Sequence, residues 1–465
     1  MTTGNSSSES LEEHINQFIN NFSYNDISGE EMQAAQEILM DQLGIEVGAS
    51  ELPWCKRAAE YAKSQSRDGA STIVTDGEQV DAATAAFING TYGHGLEFDD
   101  AHVRSAGHPG CVVIPTSLAL AEERDASIEN MLTAIVVGYE VYTRLGNLAA
   151  PDLLKRGWHP NAVLGTFSAT ASAASLLGFD EVTIGHAMGI ATSHASGVTE
   201  YSSTGGSIKR VHGGMAARNG IEAARMAHHG VTGPKRYLTG NKGFFNVFVE
   251  RTDASVDGFG TASALEIEKR WLKPYACCGT THAYIDAVHE LDPDPERIER
   301  ILTRVQPETN SIVGTANENV YRPEDFQSAQ FSLPFQIALA VSGHGNGYRT
   351  HRKIADGGLS LDDAELLGIT DTVEIEVSEE LEEQHDPKDV GNITIEYTDG
   401  TSEHAFVEDS LGTPQRPMSE AQRREKFDEL TEPVLGLDGA ESLAAAIERI
   451  ESLDSIAALT ERTYQ

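Results

Sequence analysis

Ionisable side chains are concentrated in one stretch of the chain, from Gly93 to Gly110. This stretch contains His94, Glu97, Asp99, Asp100, His102 and His108. Glycines lie among them, and the apolar run that begins at Cys111 predicts a buried element next to them. Histidines and carboxylates at the mouth of a cleft can transfer protons or bind a metal ion. The stretch therefore predicts an active-site segment. The alternative is a connection between two helices in which aspartates cap the second helix.

Three further segments carry residues that suit proton transfer or anion binding. His159 lies on a constrained turn, although a single histidine is often only structural. Lys209 and Arg210 lie between glycine pairs at a predicted helix start, where free N–H groups and cations can bind an anion; a surface ion pair is the alternative. Lys273 lies where the character of the sequence changes, and clefts form at domain boundaries. These cations predict an anionic substrate.

The composition narrows the class of protein. The chain has 465 residues, so we expect two domains. Its 72 acidic and 34 basic residues leave a net charge of −38, which argues against nucleic acid or an anionic membrane as partner and fits a halophile. Four cysteines and no targeting or membrane segment predict a cytoplasmic protein.

The elements that position these residues are predicted to be mainly helical up to about residue 270. Leu11 to Met40 is predicted as a helix, and Ser127 precedes a run with apolar residues every three or four positions. Pro115 is predicted to begin a short helix, and Gly213-Gly214 to open a longer one. Small residues elsewhere predict helices packed at close range.

Strand patterns are confined to the later part of the chain. Alternating apolar residues before and after Asp399-Gly400 predict a hairpin in a small α+β domain. We therefore predict a mainly α fold in which an α+β domain, 271–410, is inserted into an all-helical domain formed by 11–270 and 411–465. Residues 1–10 are predicted to be a flexible N-terminus.

Taken in order, these segments resemble the MmgE/PrpD family, which includes 2-methylcitrate dehydratase, cis-aconitate decarboxylase and iminodisuccinate epimerase. The resemblance implies a homodimer and a reaction that needs neither metal nor cofactor. It is carried by Gly93 to His102 with His108-Pro109, Gly157-Trp158-His159, Lys209 to Arg218, Lys273 to His282, Ala329 to Pro334, and Pro417-Met418-Ser419 with Lys426-Phe427.

The resemblance also implies roles for individual residues. His108 and His159 would be the acid and base, and Glu97 or Asp99 would orient a histidine. The side chains that would bind substrate are Lys209, Lys273 and Tyr321.

The sequence departs from the family at three places. Glu97 stands where many members have Asp, and Ala101 stands where Thr is common. Cys277-Cys278 lies where the decarboxylase branch has a nearby histidine, which argues against decarboxylation.

These observations predict a lyase that acts on a small di- or tricarboxylate, most simply a 2-methylcitrate dehydratase. Epimerisation and decarboxylation within the same family are the alternatives, and a non-catalytic carboxylate-binding protein is an alternative of another class. A metal-dependent enzyme is less favoured, because no HExxH spacing occurs and the nearby lysines would repel a metal ion.

Overall fold

Helices dominate the described residues of this computed structural model, which are 10–150, 152–250 and 264–464. This confirms the prediction of a mainly α fold. Of the predicted flexible N-terminus, residues 1–9 lie outside the described residues, and Ser10 caps the first helix. In the N-terminal part the helices are α1 (Leu11–Asn21), α2 (Gly29–Ala49), α3 (Pro53–Lys63), α4 (Ala82–Gly93), α5 (Gly110–Glu123), α6 (Ile128–Ala149), α7 (Asp152–Lys155), α8 (Pro160–Leu176), α9 (Glu181–His194), α10 (Tyr201–Thr204) and α11 (Ile208–His228).

The remaining helices and the strands follow in the same chain. The helices are α12 (His282–Leu291), α13 (Pro307–Val313), α14 (Phe326–Gln330), α15 (Leu333–Val341), α16 (Tyr348–Ala355), α17 (Ala364–Thr370), α18 (Glu379–His385), α19 (Glu420–Glu448) and α20 (Ala457–Thr460). The strands are β1 (Ser71–Thr72), β2 (Gln79–Val80), β3 (Ile298–Val305), β4 (Val373–Val377), β5 (Gly391–Tyr397) and β6 (Ser402–Val407).

Capping side chains explain where several helices begin. The Ser127 hydroxyl accepts a hydrogen bond from the Asn130 amide and so starts α6, as its position before the apolar run predicted. Ser28 caps α2 in the same way. The single helix predicted from Leu11 to Met40 is therefore wrong, because the chain leaves α1 after Asn21 and starts α2 at this cap.

Two predicted helix starts are also wrong. Pro115 lies inside α5, which begins at Gly110 and is buried on nearly every side. Gly213-Gly214 lies inside α11, and a Cβ at Gly214 would be 2.0 Å from the Phe87 carbonyl oxygen on α4. These glycines therefore serve close helix packing, and the two cations before them belong to the first turn of α11.

The sheet of the C-terminal part has the strand order β4-β3-β5-β6. β3 is parallel to β4 and antiparallel to β5, and Ile301 pairs with Val373 on one side and Ile395 on the other. β5 and β6 form the predicted antiparallel hairpin. Helices α12 and α15 pack against this sheet and share its apolar core.

The last long helix, α19, packs on α2 and belongs to the core of the helical part. Two α2 glycines make room for it, because a Cβ at Gly48 would lie 2.7 Å from Leu430 and one at Gly44 would lie 3.0 Å from Phe427. The C-terminal segment therefore returns to the N-terminal helices. None of the described helices is long and apolar enough to cross a membrane.

Candidate active site

The carboxylate of Glu97 lies at the centre of a buried group of cations. After α4 the chain turns at Glu97, whose φ of 59° lies in the left-handed region. The Lys209 ammonium forms an ion pair with Oε2 of this carboxylate, and Nη1 of Arg210 lies 3.3 Å from the same oxygen. Lys273 Nζ donates to the Glu97 carbonyl at 3.0 Å and lies 3.3 Å from Oε1. Cations from α11 and from the segment before α12 thus meet at one side chain.

This cation cluster, formed by Lys209, Arg210 and Lys273, keeps Glu97 charged. Burial acts to raise the pKa of Glu97, but Lys209 and then Lys273 hold it well below its usual range. Burial lowers the pKa of Lys209 despite the attraction of Glu97, whereas Glu97 and Asp99 outweigh burial and raise the pKa of Lys273. Three cations face the single carboxylate of Glu97, so the cluster retains positive charge for a substrate carboxylate.

His108 presents an unprotonated nitrogen to this cluster. Its Nδ1 lies 2.9 Å from the Asp100 carbonyl oxygen, which can only accept, so Nδ1 carries the proton. Nε2 is then free and lies 3.9 Å from Oε1 of Glu97. Burial, with a contribution from Lys273, lowers the pKa of His108 to about 4. At neutral pH His108 is therefore a neutral imidazole that can take up a proton at Nε2.

Asp99 binds a different histidine. Its Oδ2 accepts a hydrogen bond from Nδ1 of His94 at 2.7 Å, and both side chains are completely buried. Burial would raise the pKa of Asp99, but His94 and His108 lower it, so the carboxylate stays ionised. Nε2 of His94 has no hydrogen-bond partner among the described residues. Asp99 thus orients His94 directly, while its Oδ2 lies 3.8 Å from Nδ1 of His108.

His159 precedes α8 and forms a hydrogen-bonded pair with His212. Their Nδ1 atoms are 2.9 Å apart, so one ring donates and the other accepts. The ring of Tyr201 packs edge-on against His159, with 5.4 Å between centroids. Burial holds the pKa of His159 well below its usual value, and His212 and Lys209 lower it further. Both histidines are therefore neutral at physiological pH.

The four histidines form a continuous row through the site. The ring centroids of His108 and His94 are 5.3 Å apart, those of His94 and His159 are 5.8 Å apart, and those of His159 and His212 are 5.0 Å apart. His94 therefore lies between the two histidines that the sequence predicted as acid and base.

A cavity of about 670 Å³ opens onto one end of the histidine row. It lies between the helical part and the C-terminal part, and Glu97, His108 and Lys273 line it. The side chain of His108 is 14% exposed, whereas that of Glu97 is 3% exposed, so His108 is the more accessible of the two. Tyr201, at the other end of the row, lines a separate cavity of about 260 Å³.

The structure brings together six of the seven residues predicted for the site. These are Glu97, Asp99, His108, His159, Lys209 and Lys273. Tyr321 lies elsewhere in the C-terminal part. It is half-buried, and within the described ranges it makes no hydrogen bond or ring contact with the six. Substrate binding by Tyr321 stays a prediction, and the ring of Tyr201 contacts those of His159 and His212.

Sequence reasoning left three contributing residues without a specific role. Arg210 was named as a cation that could bind an anion, with a surface ion pair as the alternative, and it is 2% exposed and faces Glu97. His212 lies three residues after Lys209. Because α11 already begins at Ile208, both residues are helical, and this spacing puts them on the same face of the helix. His94 was named among the side chains that could transfer a proton or bind a metal ion, and its ring is hydrogen-bonded to Asp99. Tyr201 gave no signal in the sequence.

Three side chains of the described chain could be brought to one metal ion: His94, Asp99 and Cys111. Burial raises the pKa of the Cys111 thiol well above its usual value, and Asp99 and Asp100 raise it further, so the sulfur stays protonated. That the reaction needs neither metal nor cofactor stays a prediction.

Because the buried histidines are neutral, we expect the protein to lose stability as the pH falls. The contribution of His212 to this loss can be measured with a variant. Burial lowers its pKa to about 4, whereas the pKa of a histidine in an unfolded chain is about 6.5. As pH falls from about 6.5 to about 4, the unfolded chain takes up a proton that the folded protein does not. We expect wild-type protein to lose about 1.4 kcal/mol of unfolding free energy per pH unit relative to His212→Asn in this range.

Denaturant unfolding of both proteins between pH 7 and pH 4 measures this difference. The comparison with the variant matters because buried carboxyls with raised pKa values titrate in the opposite sense; the pKa of Asp100, for example, is raised to about 8 by burial and by Asp99. If the difference in unfolding free energy between the two proteins stays the same from pH 7 to pH 4, His212 is not held neutral in the folded protein.

Comparisons with known proteins match nearly the whole chain. The model of the MmgE/PrpD N-terminal domain matches residues 13–257, and that of the MmgE/PrpD C-terminal domain matches residues 275–452. Cis-aconitate decarboxylase of Aspergillus terreus is 26% identical over 468 residues, which cover 92% of this chain and 93% of that protein. The cis-aconitate decarboxylase of Homo sapiens is 27% identical over 444 residues, which cover 92% of this chain and 89% of that protein.

Proposed function

Since the chain belongs to the MmgE/PrpD family, we propose that it is a lyase that moves a proton at a carbon next to a carboxylate of a small di- or tricarboxylate. One observation carries the proposal: the unprotonated Nε2 of His108 lies beside a cation cluster that already holds one carboxylate. This is the arrangement that proton abstraction next to a carboxylate requires, because the base and the charges that stabilise the product anion lie together.

The cation cluster supplies the binding energy for a substrate carboxylate. Lys273 lines the larger cavity and is bound to Glu97, so an entering carboxylate would share or replace the Glu97 contact. Lys209 and Arg210 lie on the far side of the same carboxylate. Fixed cations in a buried site act strongly on the charge that develops during reaction, because little water is present to screen them.

His108 is held in the orientation that a base needs. The Asp100 carbonyl binds its Nδ1 proton, and the backbone N–H of His108 donates to Oδ1 of Asn161 at 2.8 Å. These two contacts direct Nε2 toward the cavity. We assign proton abstraction to His108 because it is the member of the histidine row that lines the larger cavity.

His159 is the proposed second acid/base residue, and because it is neutral it has to take up a proton from solvent before it can donate one. Its ring is paired with His212, but His159 does not line the larger cavity. His94, oriented by Asp99, lies between His159 and His108, and its Nε2 has no hydrogen-bond partner among the described residues.

Decarboxylation of cis-aconitate is the first reaction to test. The relatives named above are cis-aconitate decarboxylases, and each alignment covers about nine-tenths of both chains. Loss of carbon dioxide leaves negative charge on carbon, which the cation cluster would stabilise until a histidine that has taken up a proton from solvent donates it to that carbon.

Dehydration of 2-methylcitrate is the second candidate, and the wall of the cavity favours it. The segment from Cys278 to Thr280 lines the cavity without a histidine. His282, two residues after this segment, is completely buried and packs edge-on against Trp271. The nearby histidine that the decarboxylase resemblance would imply is thus not presented to the cavity, and dehydration would reuse the same base and cations.

Product analysis with purified protein at high salt separates the candidates. We expect one of cis-aconitate, 2-methylcitrate, citrate or iminodisuccinate to be converted, as followed by proton NMR and by release of carbon dioxide. Carbon dioxide from cis-aconitate identifies the decarboxylase, and a new unsaturated product from 2-methylcitrate, with its methyl group on a double bond and without carbon dioxide, identifies the dehydratase. Calorimetric binding of these acids with no turnover of any would contradict an enzymatic function and support a carboxylate-binding protein.

A further inference from the structure

The ammonium group of Lys426, on α19, is enclosed and makes three polar contacts. Its Nζ lies 2.6 Å from Oδ1 of Asp41, 2.8 Å from the Phe98 carbonyl oxygen and 2.9 Å from the Lys273 carbonyl oxygen. It also lies 3.9 Å from the centre of the Phe98 ring. The Lys426 side chain is 5% exposed, so water contributes little to its solvation.

These contacts suit a charged Lys426. An ammonium group has three N–H donors, one for each of the three acceptors within hydrogen-bond distance of Nζ. Burial lowers the pKa of Lys426, and the attraction of Asp41 opposes this shift. The Asp41 carboxylate supplies the opposite charge. Two of the three N–H groups of Lys426 donate to backbone carbonyls of distant segments and not to a side-chain counterion.

Those two carbonyls belong to the active site. Phe98 follows Glu97 directly, and the second carbonyl is that of Lys273 itself. Lys273 Nζ in turn donates to the Glu97 carbonyl. The hydrogen bonds therefore close a ring through Lys426, Lys273 and the Glu97-Phe98 backbone, which joins three segments that lie far apart in the sequence.

We propose that Lys426 is a positioning residue, which holds the backbones of Glu97 and Lys273 at the separation that the cation cluster needs for substrate. The inference rests on the proposed function. Lys426 does not line the larger cavity, so it acts through Lys273 and Glu97 and not on the substrate. The apolar contacts of Phe427 and Leu430 already fasten α19 to α2, so a charged side chain is not needed for that packing.

Asp41 allows the positioning role to be separated from general stability. In Asp41→Asn the buried counterion is lost, but Lys426 can still bind both carbonyls, since a neutral amine retains two donors. In the double variant Asp41→Asn with Lys426→Met, the charge pair is removed as a whole and both carbonyls lose their donor. Comparing the double variant with Asp41→Asn therefore isolates the two carbonyl contacts.

We expect kcat/KM of the double variant to be about 100-fold below that of Asp41→Asn, because a shift of about 1 Å in catalytic geometry has an effect of that order. Asp41→Asn should keep kcat/KM close to wild type. Circular dichroism checks that both variants are folded at the assay temperature. Equal kcat/KM for the two variants would overturn the positioning role.

Crystal structures of both variants give a readout that does not depend on turnover. The distance from Lys273 Nζ to the Glu97 carbonyl oxygen should stay near 3.0 Å in Asp41→Asn. It should exceed about 3.5 Å in the double variant. An unchanged distance in the double variant would overturn the positioning role, even if wild-type protein converts none of the acids tested. Wild-type protein that converts none of them would contradict the proposed function and would leave this structural test in place.

Discussion

Replacing His108 with asparagine is expected to lower kcat by about 100-fold to 10,000-fold, which is the usual contribution of a general acid or base. Asparagine has a similar shape and can still donate to the Asp100 carbonyl, but it has no nitrogen that accepts a proton near neutral pH. Lys273 and Lys209 remain in place, so the affinity for a substrate carboxylate should change much less than kcat. Steady-state kinetics on the substrate identified in the product analysis measures both quantities.

His229→Asn is the matched control for this variant. His229 follows α11 and is exposed, so its replacement should leave kcat and KM unchanged. If His108→Asn keeps more than about a tenth of the wild-type turnover, His108 is not the base. Its neighbour His94, whose Nε2 is also unprotonated, would then be the next residue to test, because it lies beside both His108 and His159.

Replacing Lys273 with methionine is expected to destabilise the protein by about 3–5 kcal/mol, which is typical of removing one partner from a buried ion pair. Lys273 Nζ is bound to the carbonyl and carboxylate of Glu97 and to the Cys277 carbonyl, and its side chain is 1% exposed. Methionine fills similar space but leaves these oxygens without their donor. Denaturant unfolding at neutral pH gives the change in free energy directly.

Lys269→Met is the control for this second variant. Lys269 also forms an ion pair, with Glu266 at 2.8 Å, but its side chain is 53% exposed. Glu266 is buried and keeps its contacts with Asn147 and Arg144 when Lys269 is replaced, so we expect a loss of about 1 kcal/mol or less. Where Lys273→Met remains folded, we expect KM for a di- or tricarboxylate to rise, since a cation that lines the cavity is lost. A stability change as small as that of Lys269→Met would show that Lys273 is not part of a tightly coupled cluster.

Most of the fold could be predicted from local patterns in the sequence. Apolar spacing after the Ser127 cap defined α6, and alternation on both sides of Asp399-Gly400 defined the β5–β6 hairpin. The strand β3 lies inside the sheet and was not predicted, because its apolar residues at 298, 301, 302 and 305 are spaced three and four positions apart, as in a helix. The start of α11 was misplaced because a glycine pair, which resembles a helix start, serves the packing of α11 on α4.

The sequence by itself determined which residue types carry the chemistry. The histidines and acids between Gly93 and Gly110, the second histidine at 159 and the lysines at 209 and 273 are all visible in the chain, since each stands in a glycine-rich or boundary segment. Only the tertiary structure decided how they are connected. It placed Arg210 and His212 in the site, Tyr201 beside His159, and Tyr321 outside the cluster.

The physical reason is that the Gly93–Gly110 segment depends on partners supplied by distant parts of the chain. Glu97 is paired with side chains 112, 113 and 176 residues away, and the Phe98 carbonyl is bound 328 residues away by Lys426. No local pattern encodes such contacts, because they form only when α11, the segment before α12 and α19 pack around the end of α4. A histidine-rich stretch thereby becomes a site with a neutral base beside a buried cation cluster.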